Sequence, residues 1–219
     1  MGKKVAVIHT SFVSVDHLKS LFQELMPQVK MINMVDDSLL AEVMAAGQVT
    51  PGIVKRMCNY VQQAEGLGVD VILNQCSSVG EVMDIARKMV TIPIVKVDEP
   101  MAEKAVSLGK TISVIATVKS TMKPSVGLVE KTAERLGKDV VVKPCLIDGA
   151  LDILMKEGNR EKHNQMVISE IERVEGESDA IVLAQGSMAL LLPLVQHIKK
   201  PVLTSPQSGV ERVRDILNL

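Results

Sequence analysis

Asp70-Val71-Ile72-Leu73-Asn74-Gln75-Cys76-Ser77-Ser78-Val79-Gly80-Glu81 is the stretch whose reading decides the fold. A short apolar run breaks into Asn-Gln-Cys-Ser-Ser, after which Val82, Met83, Ile85, Ala86, Met89 and Val90 recur at helical spacing. This reads as strand, turn, helix. Open α/β sheets hold their ligands at the C-terminal ends of strands, and the amide end of a following helix favours an anion. A thiol placed there is expected to ionise more readily than a free cysteine. Most free cysteines are small packing residues. Here, however, Asn74, Gln75, Ser77 and Ser78 crowd the turn where a packing residue would prefer apolar neighbours.

Outward from this unit, strands and helices alternate. Lys3 to His9, Val29 to Met34, and Pro93 to Val97 read as strands. Val15 to Met26 and Ser38 to Ala46 have helical spacing, and Thr50-Pro51 is a cap with proline at the first helical position, opening a helix to about Gly66. Asp98-Glu99-Pro100 opens another helix to Leu108. Thr111 to Ala116 is a strand ending in Thr117-Val118-Lys119-Ser120-Thr121, followed by a helix that closes at Gly137. Asp139 to Lys143 is a strand, Ala150 to Glu157 and Arg160 to Glu175 are helices, and Ala180 to Ala184 is a strand that breaks at Gln185-Gly186-Ser187-Met188. A helix from there to Ile198, a strand from Pro201 to Thr204 and a helix from Val210 to Leu217 complete the pattern. Such alternation implies parallel sheets covered by helices on both faces. Cys58, beside Met57 and Val61, reads as core packing, and Cys145, beside Leu146 and Ile147, as a structural strand-end residue.

The pattern also repeats. Ile8-His9-Thr10, Leu73-Asn74-Gln75-Cys76-Ser77 and Pro93-Ile94-Val95 have counterparts 107, 110 and 108 residues later, in Ile115-Ala116-Thr117, Leu183-Ala184-Gln185-Gly186-Ser187 and Pro201-Val202-Leu203. Three matches in one order at a nearly constant offset predict two similar α/β lobes. The first is residues 1–97 plus 206–219, carrying Cys76, and the second is residues 98–205, carrying Thr117 and Gly186. A pseudo-twofold axis is expected to bring both strand ends to a shared cleft. His9, Thr10, Asn74, Ser77 and Ser78 on one side, and Thr117, Ser120, Thr121, Gly186 and Ser187 on the other, are the expected substrate contacts, because hydroxyls and helix N-terminal amides receive a carboxylate. Of the four histidines only His9 falls at a strand end, which makes it the candidate for a second proton carrier. Glu99 reads either as a carboxylate at the rim of the cleft or, preferred here, as a first-turn acid that suits the helix dipole.

The bulk properties narrow the class. The 219 residues are 47% hydrophobic with a net charge of −1 and no long basic run, which argues against disorder, nucleic-acid binding and membrane-surface binding. The apolar run after Lys4 is too short for a signal peptide or a spanning segment, and three cysteines without metal-ligand spacing fit reduced thiols, so a cytoplasmic protein without a metal is expected. With 1% aromatics, the 13 methionines are expected to fill irregular gaps in the core.

Several of these segments resemble the aspartate/glutamate racemase superfamily. Cys76-Ser77-Ser78 after a buried strand is similar to its first Cys-Asn-Thr motif, and Val97-Asp98-Glu99-Pro100 to the segment that follows. Ile115-Ala116-Thr117-Val118-Lys119-Ser120 resembles its Ala-Thr-x-x-Thr turn, and Ile181 to Leu194 its second-cysteine region, Leu-Gly-Cys-Thr with a Pro-Leu further on. The resemblance implies a two-lobed, cofactor-independent enzyme, a homodimer, that transfers a proton at the carbon α to the carboxylate of a small acid. Cys76 would be the thiol acid/base of a racemase, epimerase or isomerase. In the racemases a second cysteine serves the opposite face of the substrate. Here Gly186 is read at that position, and His9-Thr10 stands where glutamate racemases carry an Asp. The resemblance therefore also implies alternatives, a decarboxylase like arylmalonate decarboxylase or a carboxylate-binding protein that has lost two-base chemistry.

Overall fold

Val5-Ala6-Val7-Ile8 and Val71-Ile72-Leu73 have almost no accessible surface, as strands covered on both faces must. In a computed structural model that describes residues 2–219, they form the centre of a four-stranded parallel sheet of β1 (Lys4–His9), β2 (Lys30–Val35), β3 (Val71–Asn74) and β4 (Ile94–Lys96), ordered β2-β1-β3-β4. A second parallel sheet contains β5 (Thr111–Ala116), β6 (Val141–Leu146), β7 (Ala180–Leu183) and β8 (Val202–Leu203), ordered β6-β5-β7-β8. The two orders are the same, position for position, as the repeat requires.

The chain divides into one compact unit up to Pro100 together with Pro206–Leu219, and another of Met101–Ser205. In the first unit Ala6, Ile8 and Ile72 pack on α2 (Ser38–Ala46), α3 (Pro51–Gly66) and α4 (Gly80–Ala86). Val5, Val7, Val71 and Leu73 alternate to the opposite face, against α1 (Val15–Leu25) and α9 (Ser205–Leu217). In the second unit Val114, Ala116 and Val182 face α5 (Glu99–Leu108) and α6 (Lys119–Arg135), while Ile115, Ile181 and Leu183 face α8 (Arg160–Glu175). The helix following β4 thus packs into the second core, and the helix following β8 into the first.

Local chemistry sets the boundaries. Thr50 Oγ1 accepts the Ile53 amide at 3.3 Å with Pro51 in the first turn of α3, and Asn159 Oδ1 accepts the Lys162 amide at 2.9 Å at the start of α8. Asp70 Oδ2 accepts the Lys4 amide at 2.8 Å, and Asp179 Oδ2 accepts the Thr111 amide at 2.9 Å, so one carboxylate anchors the start of each central strand.

Three expectations need correction. β6 runs to Leu146, taking in Pro144 and Cys145, which the sequence reading placed beyond the strand. After β7 the chain forms a 3₁₀ helix, Gly186–Leu194, and no α-helix to Ile198, because a leucine run interrupted by Pro193 has no amphipathic face. The last helix begins at Ser205 and not at Val210, since Pro206 suits a first turn. Between Ala150–Lys156 (α7) and α8 the chain follows the expected pattern.

Candidate active site

β3 ends at Asn74, Cys76 stays extended (φ −114°, ψ 119°), and Ser77–Val79 form a single 3₁₀ turn before α4. Because strand side chains alternate, Asn74 and Cys76 project to the side of Ile8 and Ile72, and so does Thr10, two residues past Ile8. The Thr10 hydroxyl, the Ser78 hydroxyl and amide, and the Val79 amide all donate toward the Cys76 sulfur, and each favours a thiolate. Burial opposes them and prevails. Although the residue keeps some exposed surface, desolvation pushes its thiol above the ordinary cysteine value. This corrects the expected depression by a helix N-terminus: the amides are present, but α4 has seven residues and stands behind a 3₁₀ turn.

Beside this turn lies a group the sequence reading passed over. Asp98 is 4% exposed. Burial raises its carboxyl above the ordinary range, against a hydrogen bond from the Ser77 hydroxyl, its own amide and the charge of Lys96. Nearby cations are already engaged. Lys96 Nζ lies 2.9 Å from Asp84 Oδ1 and 3.5 Å from Glu99 Oε1. Arg87 grips Glu99 through two bonds of 2.9 and 2.7 Å and also donates to the Ile94 carbonyl. Glu99 is therefore clamped inside the unit as well as standing in the first turn of α5.

His9 is fully buried, and alternation puts it on the face opposite Cys76. Its Nε2 donates to Asn33 Oδ1 at 2.9 Å, so Nδ1 keeps a bare lone pair without a partner, and burial holds the ring below the usual histidine value. It is a neutral interior group, which leaves it poorly placed as the second proton carrier. Asn74, also fully buried, donates Nδ2 to the Cys76 carbonyl at 3.0 Å, while its Oδ1 has no partner. Gln75 turns away and donates to Ser14 Oγ at 2.8 Å.

The second unit repeats this geometry with other chemistry. Val5 pairs with Val71 as Ile112 pairs with Ala180, and the Gln75 amide donates to the Ile8 carbonyl as the Ala184 amide donates to that of Ile115. Along this strand the offset is 109 residues, so the counterpart of Cys76 is Gln185. The backbone agrees: Gln185 is extended (φ −113°, ψ 130°) and leads into the 3₁₀ helix, as Cys76 does. Gly186 is the counterpart of Ser77 and not of Cys76, which corrects the reading by one residue. Gln185 Oε1 accepts the Thr117 amide at 3.0 Å and Nε2 donates to Thr117 Oγ1 at 2.8 Å, so each strand-end threonine bonds the residue at this one position. Thr117 and Thr121 are buried, the buried Ser120 Oγ has no partner, Gly186 is half-buried and Ser187 is exposed.

The remaining cysteines are structural. Cys58 sits in the α3 core and burial raises its thiol. Cys145 is buried, with Sγ 3.6 Å from the Lys143 carbonyl and 3.9 Å from Arg173, and its thiol too is raised, mainly by burial. An open depression of about 610 Å³ runs along α8 past Ile147, Met166 and Arg173 without reaching Cys145 or the β5 and β7 strand ends. Among the described residues no group of three His, Cys, Asp or Glu side chains is gathered as metal ligands would be, and no helix is long and apolar enough to cross a membrane.

The family model described as Asp/Glu/Hydantoin racemase matches residues 5–213. Among solved structures, the chain is similar to glutamate racemase from Aquifex pyrophilus, with TM-score 0.68 and 20% identity over 97% of this chain and 83% of that one. It is similar to allantoin racemase from Klebsiella pneumoniae, with TM-score 0.72 and 15% identity over 99% and 88%. Aspartate racemase from Picrophilus torridus gives TM-score 0.70 and 16% identity over 98% and 94%. At these identities the likeness is one of fold. None of the curated protein sequences compared matches the chain.

Proposed function

The chain belongs to the Asp/Glu/hydantoin racemase family, and we propose that it transfers a proton at the carbon α to the carboxylate of a small acid, with Cys76 as its thiol acid/base. The observation that carries this reading is the set of donors around one sulfur: Thr10, Ser78 and Val79 stabilise a thiolate, while burial keeps the resting thiol protonated. A group held between these influences gives a proton to a carbanion and takes one back without a large change in driving force. Thr10, Asn74, Ser77 and Ser78 line this end in the proposed site. In the second unit, Thr117 after β5, Ser120 and Thr121 in the first turn of α6, and Gly186 and Ser187 after β7 are proposed as carboxylate-receiving groups.

Gln185 shapes the proposed outcome. An amide neither gives nor takes a proton near neutral pH. The chain then carries one thiol base where the racemases it resembles carry two, and proton transfer is expected to favour one face of the substrate. The test is deuterium incorporation from heavy water into each enantiomer of candidate 2-amino and 2-aryl acids, followed by NMR. Cys76→Ser is expected to slow exchange by roughly 10²- to 10⁴-fold, the usual weight of one acid/base group. Exchange that persists in Cys76→Ser would point to carboxylate binding or to another base.

A further inference from the structure

Asp98 is a buried carboxyl group for which the proposed chemistry has so far given no use. The end of the β3–β4 pairing brings it to the turn that holds the thiol. β3 and β4 pair Asn74 with Lys96, and the Val97 amide donates to the Asn74 carbonyl. Past Lys96 the chain leaves β4 in a turn, which sets Asp98 beside the turn that follows β3 and carries Cys76. Ser77 joins them, since it follows Cys76 in the chain and its hydroxyl donates to the Asp98 carboxyl. We propose that Asp98 is a positioning and proton-holding partner of Cys76, coupled to the thiol through Ser77.

The physical case rests on charge. A thiolate formed when Cys76 gives up its proton is costly beside a carboxylate and tolerable beside a neutral carboxylic acid. The surroundings favour the neutral acid. On β4, Lys96 is committed to Asp84 and Glu99; on α5, Glu99 adds a like charge; on α4, Arg87 is committed to Glu99. α9 packs against this strand end, where a Cβ on Gly209 would fall 2.7 Å from the Val97 carbonyl oxygen, and that helix also carries Glu211 and Arg212. Among the described residues no ion pair involves Asp98. With a proton held on Asp98, the thiol and the carboxyl are both uncharged before the transfer. The proton leaves Cys76 for the substrate carbon and the carboxyl keeps its own, so one negative charge develops and not two.

The role in the reaction rests on Cys76 being the acid/base, but its test needs no substrate, so the two readings fail separately. The pH dependence of Cys76 alkylation by iodoacetamide is followed by peptide mapping, and the Asp98 carboxyl is titrated by ¹³C NMR. In the wild type the log rate should rise with pH, flatten at the pH where Asp98 titrates, and rise again. In Asp98→Asn the shoulder should vanish, and above that pH alkylation should be about tenfold faster, as expected when two sites interact by about one pK unit. Ser77→Ala retains the carboxyl and removes a donor that favours its charged form, so the shoulder should move to higher pH together with the NMR midpoint. This second variant serves if Asp98→Asn fails to fold. A single-step wild-type profile that Asp98→Asn leaves unshifted, or a shoulder that ignores Ser77→Ala, would overturn the coupling.

Discussion

The two strand ends of the repeat, Thr10 with Cys76 and Thr117 with Gln185, differ in chemistry but scarcely in backbone. Both central pairs have the same parallel register, both turn residues are extended, and in both a threonine bonds that residue. The comparison separates what the fold supplies from what the side chain supplies. The fold provides a position at the end of the third strand of each unit, next to a threonine. A thiol there can carry and release a proton, whereas an amide makes a neutral two-bond clasp on Thr117. The part of the asymmetry that bears on proton transfer at these two equivalent positions therefore lies in Cys76 and Gln185.

The largest expected effect tests the sameness of the frames. Leu73 and Val182 occupy equivalent places in the central strands, both with no accessible surface. Leu73→Ala should cost about 2–5 kcal/mol and Val182→Ala somewhat less, in proportion to the smaller volume removed. Denaturant midpoints of the two variants check this, and a variant that loses no stability would break the equivalence.

A smaller effect sharpens the register. Gln185→Cys places a thiol at the counterpart of Cys76 and should raise proton exchange into the slower enantiomer by about tenfold, a modest share of what acid/base catalysis supplies. Gly186→Cys, one residue along, should bring no comparable gain. The reverse ranking would restore the reading in which Gly186 is the repeat counterpart of Cys76.

The smallest effect concerns the threonines. Thr10 donates to the sulfur and favours the thiolate, so Thr10→Ala should raise the Cys76 thiol further and slow its alkylation near neutral pH about threefold, in keeping with the loss of one hydrogen bond. Thr117→Ala, whose partner is an amide, should leave Cys76 unchanged. In every variant alkylation should climb as pH rises through the alkaline range, because burial holds the thiol above its ordinary value. A Cys76 already fully reactive at pH 7 would contradict that sign.

Much of this was legible in the sequence. Runs such as Val5 to Ile8 and Val71 to Leu73 announced buried parallel strands, Thr50-Pro51 announced the start of α3, and the repeat anticipated the shared strand order. The misread position has a specific cause. Matching by letter aligned Leu73 with Leu183, whereas backbone pairing with β1 and β5 aligns Leu73 with Val182, and in strands a slip of one residue changes which side chain takes the position. Ser205-Pro206 carried the same helix-start signal as Thr50-Pro51 and was overlooked in favour of Val210. The raised Cys76 thiol and the buried Asp98 were not legible, because desolvation depends on residues brought in from distant strands and helices, whereas helix-end effects can be read locally.

The most direct test of the central claim is enantiomer-resolved deuterium exchange by the wild-type protein in heavy water. With one thiol at the first strand end and Gln185 at the second, exchange should be rapid for one enantiomer of a turned-over acid and slow for its mirror image. Equal exchange into both would show that a second group already serves the other face, and the one-thiol account would be wrong.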